Sequence, residues 1–189
     1  MLGAQLFELS AFLLALLGVI LTARGHIAGW AFGILGSALY VPVFFQSRLY
    51  AETGLQITYV LIGFFGWWTW NRLGKKASDR PVRNIPHNTA FALSILFLLA
   101  SYLLGLTLVH YSNTDVPFFD ASMGVAGLII TWMMARKFIE NWYCWVLVDL
   151  ANSGLFIYKT LHLTALLYII MAALAVYGAF RWKKDLVLS

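Results

Sequence analysis

Seven times in 189 residues the sequence runs for about 20 residues with almost no charge, and this pattern restricts the fold more than any motif. A helix that crosses a bilayer needs roughly 20 mostly apolar residues. The runs read as spans at about 5–22, 27–46, 49–71, 89–110, 119–136, 139–158 and 161–181. Hydrophobic residues make up 61% of the chain and charged residues only 11%, with mean hydropathy +0.79. A soluble domain is near half apolar and a quarter charged. The polar surface available here is too small to cover a water-soluble globule, so the sequence describes an all-α integral membrane protein.

The long polar stretch is "RLGKKASDRPVRNIPHN", Arg72–Asn88, whose prolines, glycine and charges mark a loop. The first apolar run lacks a basic leader and a small-residue cleavage site, and is expected to remain in the mature chain. Seven spans put the termini on opposite sides. Arg24, Arg72, Lys75, Lys76, Arg80, Arg83, Arg136, Lys137, Arg181, Lys183 and Lys184 fall on one side, against Arg48 and Lys159 on the other. Positively charged loops face the cytoplasm. This predicts an external N-terminus and a cytoplasmic C-terminus, and accounts for the net charge of +5 without a nucleic-acid partner. The lone Cys144 excludes an internal disulfide and a cysteine metal cluster. His26, His87, His110 and His162 are scattered near span ends with no metal-binding spacing, so neither metal nor cofactor is expected.

Shifting the sequence by 112 residues lays Ser10 on Ser122, Arg24 on Arg136, Ile27 on Ile139, Trp30 on Trp142, Gly66 on Gly178 and Trp70 on Trp182, without a gap. Glu8 falls on Asp120, both expected near helix starts. The chain therefore reads as one membrane domain in a 3+1+3 arrangement: a three-helix repeat over 5–72, a linking helix over 89–110, and a second three-helix repeat over 119–184. The odd linker makes the two repeats parallel. Repeats related by an axis along the membrane normal are a transporter architecture, with the site where the halves meet.

Two helices carry stripes capable of chemistry. At about 100° per residue, Trp145, Asp149, Asn152 and Phe156 fall within roughly 60° of one another on the sixth helix, with Trp142, Asn141 and Lys159 at the borders. On the third helix Gln56, Tyr59, Gly63, Trp67 and Trp70 share a face. Asp149 is the most informative residue. An aspartate near the centre of a spanning helix costs on the order of 2.5–3.5 kcal/mol and must face a cavity or a partner. One reading is a structural hydrogen bond to a neighbouring hydroxyl or amide. The other is an electrostatic partner for a cationic ligand walled by Trp142, Trp145 and Trp67. Indole faces attract cations by about 2 kcal/mol when desolvated and stack on flat heterocycles at roughly 1–3 kcal/mol per base. Gln56, Asn141 and Asn152 offer donors and acceptors to ribosyl hydroxyls or a carboxamide. Trp30, Trp68, Trp132 and Trp182, near the predicted membrane faces, are expected as anchoring aromatics. Gly29, Gly33 and Gly36 are expected at a helix contact.

The segments "LYAETGLQITYVLIGFFGWWTW", "FFDASM", "RKFIENWYCWVLVDLANSGLFIYK" and "LTALLYIIMAALAVYGAFRW" together resemble the PnuC family of small bacterial vitamin transporters, over nearly the whole chain. The resemblance implies a three-plus-one-plus-three fold in the inner membrane, facilitated uptake of nicotinamide riboside with thiamine and riboflavin relatives, trapping by a separate kinase, and a homotrimer. It also implies roles for Gln56 as the substrate glutamine, for Asn141, Trp142 and Trp145 of "ENWYCW", for Asp149 and Asn152 further along, and for Tyr158 and Lys159 after them.

The leading expectation is thus a facilitator for nicotinamide riboside, a permanent cation. Thiamine is the nearest alternative, because its thiazolium is also cationic; neutral riboflavin gains less from Asp149. A non-transporting membrane subunit is a further alternative. A retinal photoreceptor needs a lysine in its last helix, and residues 161–181 contain none. No cluster of nucleophile, base and metal ligands points to an enzyme, and no GxxxxGK[ST] loop to an ATP-driven pump.

Overall fold

The computed structural model describes residues 2–46, 50–72, 82–112, 114–160 and 162–186. Arg48, Lys75, Lys76 and Arg80 of the charge count lie outside them, as does the side chain of Glu8. The described chain forms helices α1 (Leu2–Ala23), α2 (Ala28–Gln46), α3 (Tyr50–Arg72), α4 (His87–Tyr111), α5 (Pro117–Ala135), α6 (Glu140–Tyr158) and α7 (His162–Lys184). These are the seven expected spans, displaced by a few residues at their ends. Local chemistry sets several boundaries. Pro86 is extended and opens α4, and Pro117 begins α5, where a missing N–H is harmless. Asp120, in the first turn of α5, accepts a hydrogen bond from the Thr114 hydroxyl.

α1 packs on α2, α2 on α3, α3 on α5, α5 on α6, α6 on α7, and α7 back on α1. The result is a closed ring of six helices. An internal two-fold exchanges α1–α2–α3 with α5–α6–α7 and exchanges the α3–α5 seam with the α7–α1 seam. α4 stands outside the ring against α5, and among the helices it touches α5 alone. Its buried positions are small, Ser101 and Gly105, with the Phe118 ring laid on Gly105 and stacked near Tyr102. The remainder of α4 exposes Phe91, Leu98, Leu99 and Leu103, as a lipid-facing helix does. α4, α5 and α7 are long and apolar enough to cross a bilayer on composition alone. α3 and α6 carry the polar stripes, which dilute their hydropathy.

The two-fold is sharpest at the end of the bundle that carries Arg24, Arg136 and Arg181. Trp30 meets Trp70 edge to face, with centroids 5.6 Å apart and an interplanar angle of 82°. The repeat-mates Trp142 and Trp182 meet at 5.4 Å and 88°. Trp70 and Trp182 then touch across the axis at 6.0 Å. A Cβ on Gly66 would lie 2.5 Å from the Trp30 ring, and one on Gly178 would lie 2.6 Å from the Trp142 ring. Both glycines exist so that an indole can lie on the helix backbone. Trp30 and Trp182, expected as membrane anchors, are 5% and 2% exposed and belong to this core. Trp182 Nε1 also donates to the Thr22 carbonyl at 3.2 Å, binding α7 to α1.

The turns that follow α1 and α5 also correspond. Gly25 has φ +73° and its mate Lys137 φ +58°. A lysine in this left-handed region costs roughly 1–2 kcal/mol that a glycine does not. The Lys137 ammonium lies 4.9 Å from the Trp70 ring centroid, and its partial burial pushes its pKa down. Residues 82–85 run along the same turn. Arg83 exchanges backbone bonds with Lys137 and Ile139, and the Ile85 N–H donates to both oxygens of Glu140 at 3.1 and 3.0 Å.

Candidate functional site

At the centre of the ring lies a chamber of about 360 Å³, lined by all six ring helices and by no residue of α4. This is within the 300–1,000 Å³ typical of small-molecule pockets. α6 contributes Trp142, Trp145 and Asp149; α3 contributes Gln56, Tyr59 and Gly63; α7 contributes Tyr168, Met171 and Ala175. α2 adds Trp30, Gly33, Ile34, Ser37 and Tyr40, while Thr22 and Val19 of α1 and Thr131 and Met134 of α5 complete the walls.

The lining repeats the 112-residue offset. Val19 is the mate of Thr131, Thr22 of Met134, Trp30 of Trp142, Gly33 of Trp145, Ser37 of Asp149, Gln56 of Tyr168, Tyr59 of Met171 and Gly63 of Ala175. The chamber therefore sits on the two-fold axis. Its walls match in position and, apart from the Trp30–Trp142 pair, differ in chemistry.

Asp149 is 6% exposed and faces the chamber. Among the described residues nothing donates a hydrogen bond or forms an ion pair to it. Tyr59 and Tyr168 lie within electrostatic range of its carboxylate. Lysine, arginine and histidine are absent from the described lining, so the site has one acidic group and no fixed cation. A buried carboxylate is costly unless paired, and the chamber is where a partner would enter. Tyr59 reaches across the α3–α5 seam to rest its hydroxyl on Gly127, where any Cβ would collide with it. Tyr168 is held by face-to-face stacking on Phe156, at 5.3 Å and 11°. The indole nitrogens of Trp30 and Trp142 are buried without a partner among the described residues.

Of the residues singled out from sequence, Gln56, Tyr59, Trp142, Trp145 and Asp149 come together here. Five others lie elsewhere. Trp67 is 41% exposed beside Phe64, rotated about 40° from Gly63 around the helix. Asn141 is fully buried, its amide donating to the Phe138 carbonyl while its own oxygen has no described partner. Asn152 is half-buried outside the lining, and Tyr158 is 82% exposed at the end of α6. Lys159 forms an ion pair with Asp115 at 2.7 Å, which raises its pKa and holds the Asp115 carboxyl below its ordinary range. Sequence reasoning passed over Trp30, Ser37, Thr131 and Tyr168. The repeat offset held the signal for Tyr168, since it is the mate of Gln56.

Residues 5–184 match the family model described as nicotinamide mononucleotide transporter. The nicotinamide riboside transporter PnuC of Escherichia coli is 26% identical, over 88% of this chain and 80% of its own length. The PnuC of Neisseria mucosa is 25% identical over 89% and 68%. The riboflavin/roseoflavin transporter RibM of Streptomyces davaonensis is 25% identical over 90% and 81%. Among solved structures, that of the vitamin B3 transporter PnuC superposes with a TM-score of 0.72 at 22% identity, covering 94% of this chain and 80% of the other, so the two share a fold.

Proposed function

This chain belongs to the nicotinamide mononucleotide transporter family, a family of membrane transporters and not of enzymes, and from that premise we propose that it is a facilitator for nicotinamide riboside. The observation that carries the reading is Asp149, a buried, unpaired carboxylate in a chamber with aromatic walls and no described lysine, arginine or histidine in its lining. A flat pyridinium stacks on Trp145 and gives the carboxylate its counter-charge. The carboxamide meets Gln56, and the ribose hydroxyls meet Tyr59, Tyr168 or Thr131. A phosphate, as in the mononucleotide, would enter beside Asp149 with no cation to receive it, so the dephosphorylated form is favoured. Thiamine is the second reading, because the same carboxylate serves its thiazolium equally well.

Transport follows from two rigid halves. The repeats over 5–72 and 119–184 rock against each other along the α3–α5 and α7–α1 seams, and α4 only links them. The excess of basic residues at the tryptophan-clustered end supports a cytoplasmic location for that end and an external N-terminus. Net uptake then requires a separate kinase to trap the product. Proteoliposomes carrying the purified protein should take up labelled nicotinamide riboside saturably, with competition by unlabelled riboside and little by the mononucleotide. Uptake no faster than in protein-free liposomes would refute transport, and equal competition by the mononucleotide would refute the charge argument.

A further inference from the structure

The glycines of α2 were expected to share one role, and their surroundings divide them. A Cβ on Gly29 would come within 2.6 Å of Thr22, and one on Gly36 within 3.0 Å of Ala15, so both are locked against α1. On the α1 side there is no room either: a Cβ on Gly18 would lie 2.9 Å from the Gly33 nitrogen. The open side of Gly33 is different: a Cβ there would meet nothing within 4 Å, and the residue lines the chamber. Its repeat-mate is Trp145, which lines the chamber too. Residues related by a two-fold through the chamber stand on opposite walls. Where the second repeat projects an indole inward, the first leaves a hollow.

We infer that Gly33 sets the clearance opposite Trp145, and so limits the width of the ring system the transporter accepts. This rests on the reading of the chamber as a vitamin site and adds the residue that makes it selective. A ring stacked on Trp145 has its other face or edge turned toward the α2 wall. Any side chain at 33 narrows that slot without disturbing the packing of α2 on α1. Packing and binding therefore respond in opposite directions. Alanine is a better helix former than glycine, so Gly33→Ala should fold at least as well as the wild type while binding less tightly.

The test is calorimetric titration of detergent-purified Gly33→Ala and Gly33→Leu with nicotinamide riboside, thiamine and riboflavin, beside thermal melting of each variant. Gly54→Ala is the control, at an α3 glycine that also has open space but does not line the chamber. Gly33→Ala should weaken the tightest of these ligands a few-fold with no fall in Tm. Gly33→Leu should weaken it at least tenfold, with the three-ring flavin suffering more than a single-ring ligand wherever both bind. Gly54→Ala should bind as wild type. A lowered Tm for Gly33→Ala would overturn the inference by making Gly33 a packing residue, and so would unchanged affinity in Gly33→Leu. Wild-type protein that binds none of the three ligands would instead overturn the functional reading beneath it.

Discussion

At the tryptophan-clustered end the two halves of the ring are near copies. Trp30 and Trp70 repeat as Trp142 and Trp182 within 0.2 Å in centroid separation, 5.6 against 5.4 Å, and Gly66 and Gly178 admit the indoles in the same way. A few turns away, in the chamber, the halves diverge: Ser37 faces the chamber in one and Asp149 in the other, and Gly33 stands where Trp145 does. Packing positions answer to the shape of the two-fold, which both halves share. Chamber positions answer to a ligand in the proposed function, and the proposed riboside, with a charged ring at one end and a ribose at the other, has no two-fold to share. One half is therefore loaded with charge and indole, and the other supplies space.

If the shared end is scaffold in both halves, matched changes there should have matched effects. Gly66→Ala and Gly178→Ala each drive a methyl into a rigid indole and should destabilise by about 3 kcal/mol, the upper range for overpacking. Denaturant melts showing one tolerated and the other not would break the equivalence. The chamber should behave in the opposite way. Trp145→Ala should weaken binding of a flat cation by about 2 kcal/mol, roughly thirtyfold, with little loss of stability because Trp145 is only half-buried. Titration with unchanged affinity would make Trp145 a wall and not a stacking partner. The smallest effect belongs to the turn where Lys137 replaces the glycine of the first half. Lys137→Gly removes backbone strain of roughly 1–2 kcal/mol and loses a cation–π contact of about 0.5–1 kcal/mol, while a flexible glycine costs about 0.5–1 kcal/mol in the unfolded chain. The net change in stability should stay within about 1 kcal/mol; a larger loss would show that the Trp70 contact holds the basic end shut.

The spans were legible because a bilayer imposes a length that a sequence displays directly, and the repeat was legible because tryptophan is rare enough for two matched pairs to stand out. Position around the ring was less legible. Trp30 and Trp182 lie near span ends, where an anchoring belt and an inward core produce the same pattern; being one of a repeated pair separates them from the exposed Trp68, which has no such mate. On α6 the stripe led to Trp142, Trp145 and Asp149, but the helix outruns the chamber. Lys159, nearly three turns beyond Asp149, finds Asp115, 44 residues away in another loop, which no helical spacing could announce. Gly33 was hidden among glycines of similar spacing, since only the neighbouring helix distinguishes a contact from a hollow.

The most direct test of the account is a calorimetric titration of nicotinamide riboside and of riboflavin into wild-type protein and Asp149→Asn. Replacing a carboxylate that faces a bound cation removes roughly 1.5–3 kcal/mol. The riboside should therefore lose roughly ten- to a hundredfold in affinity, while any binding of the neutral flavin is unchanged. Equal riboside affinity in the two proteins would contradict the role given to Asp149, and so would a parallel loss for both ligands.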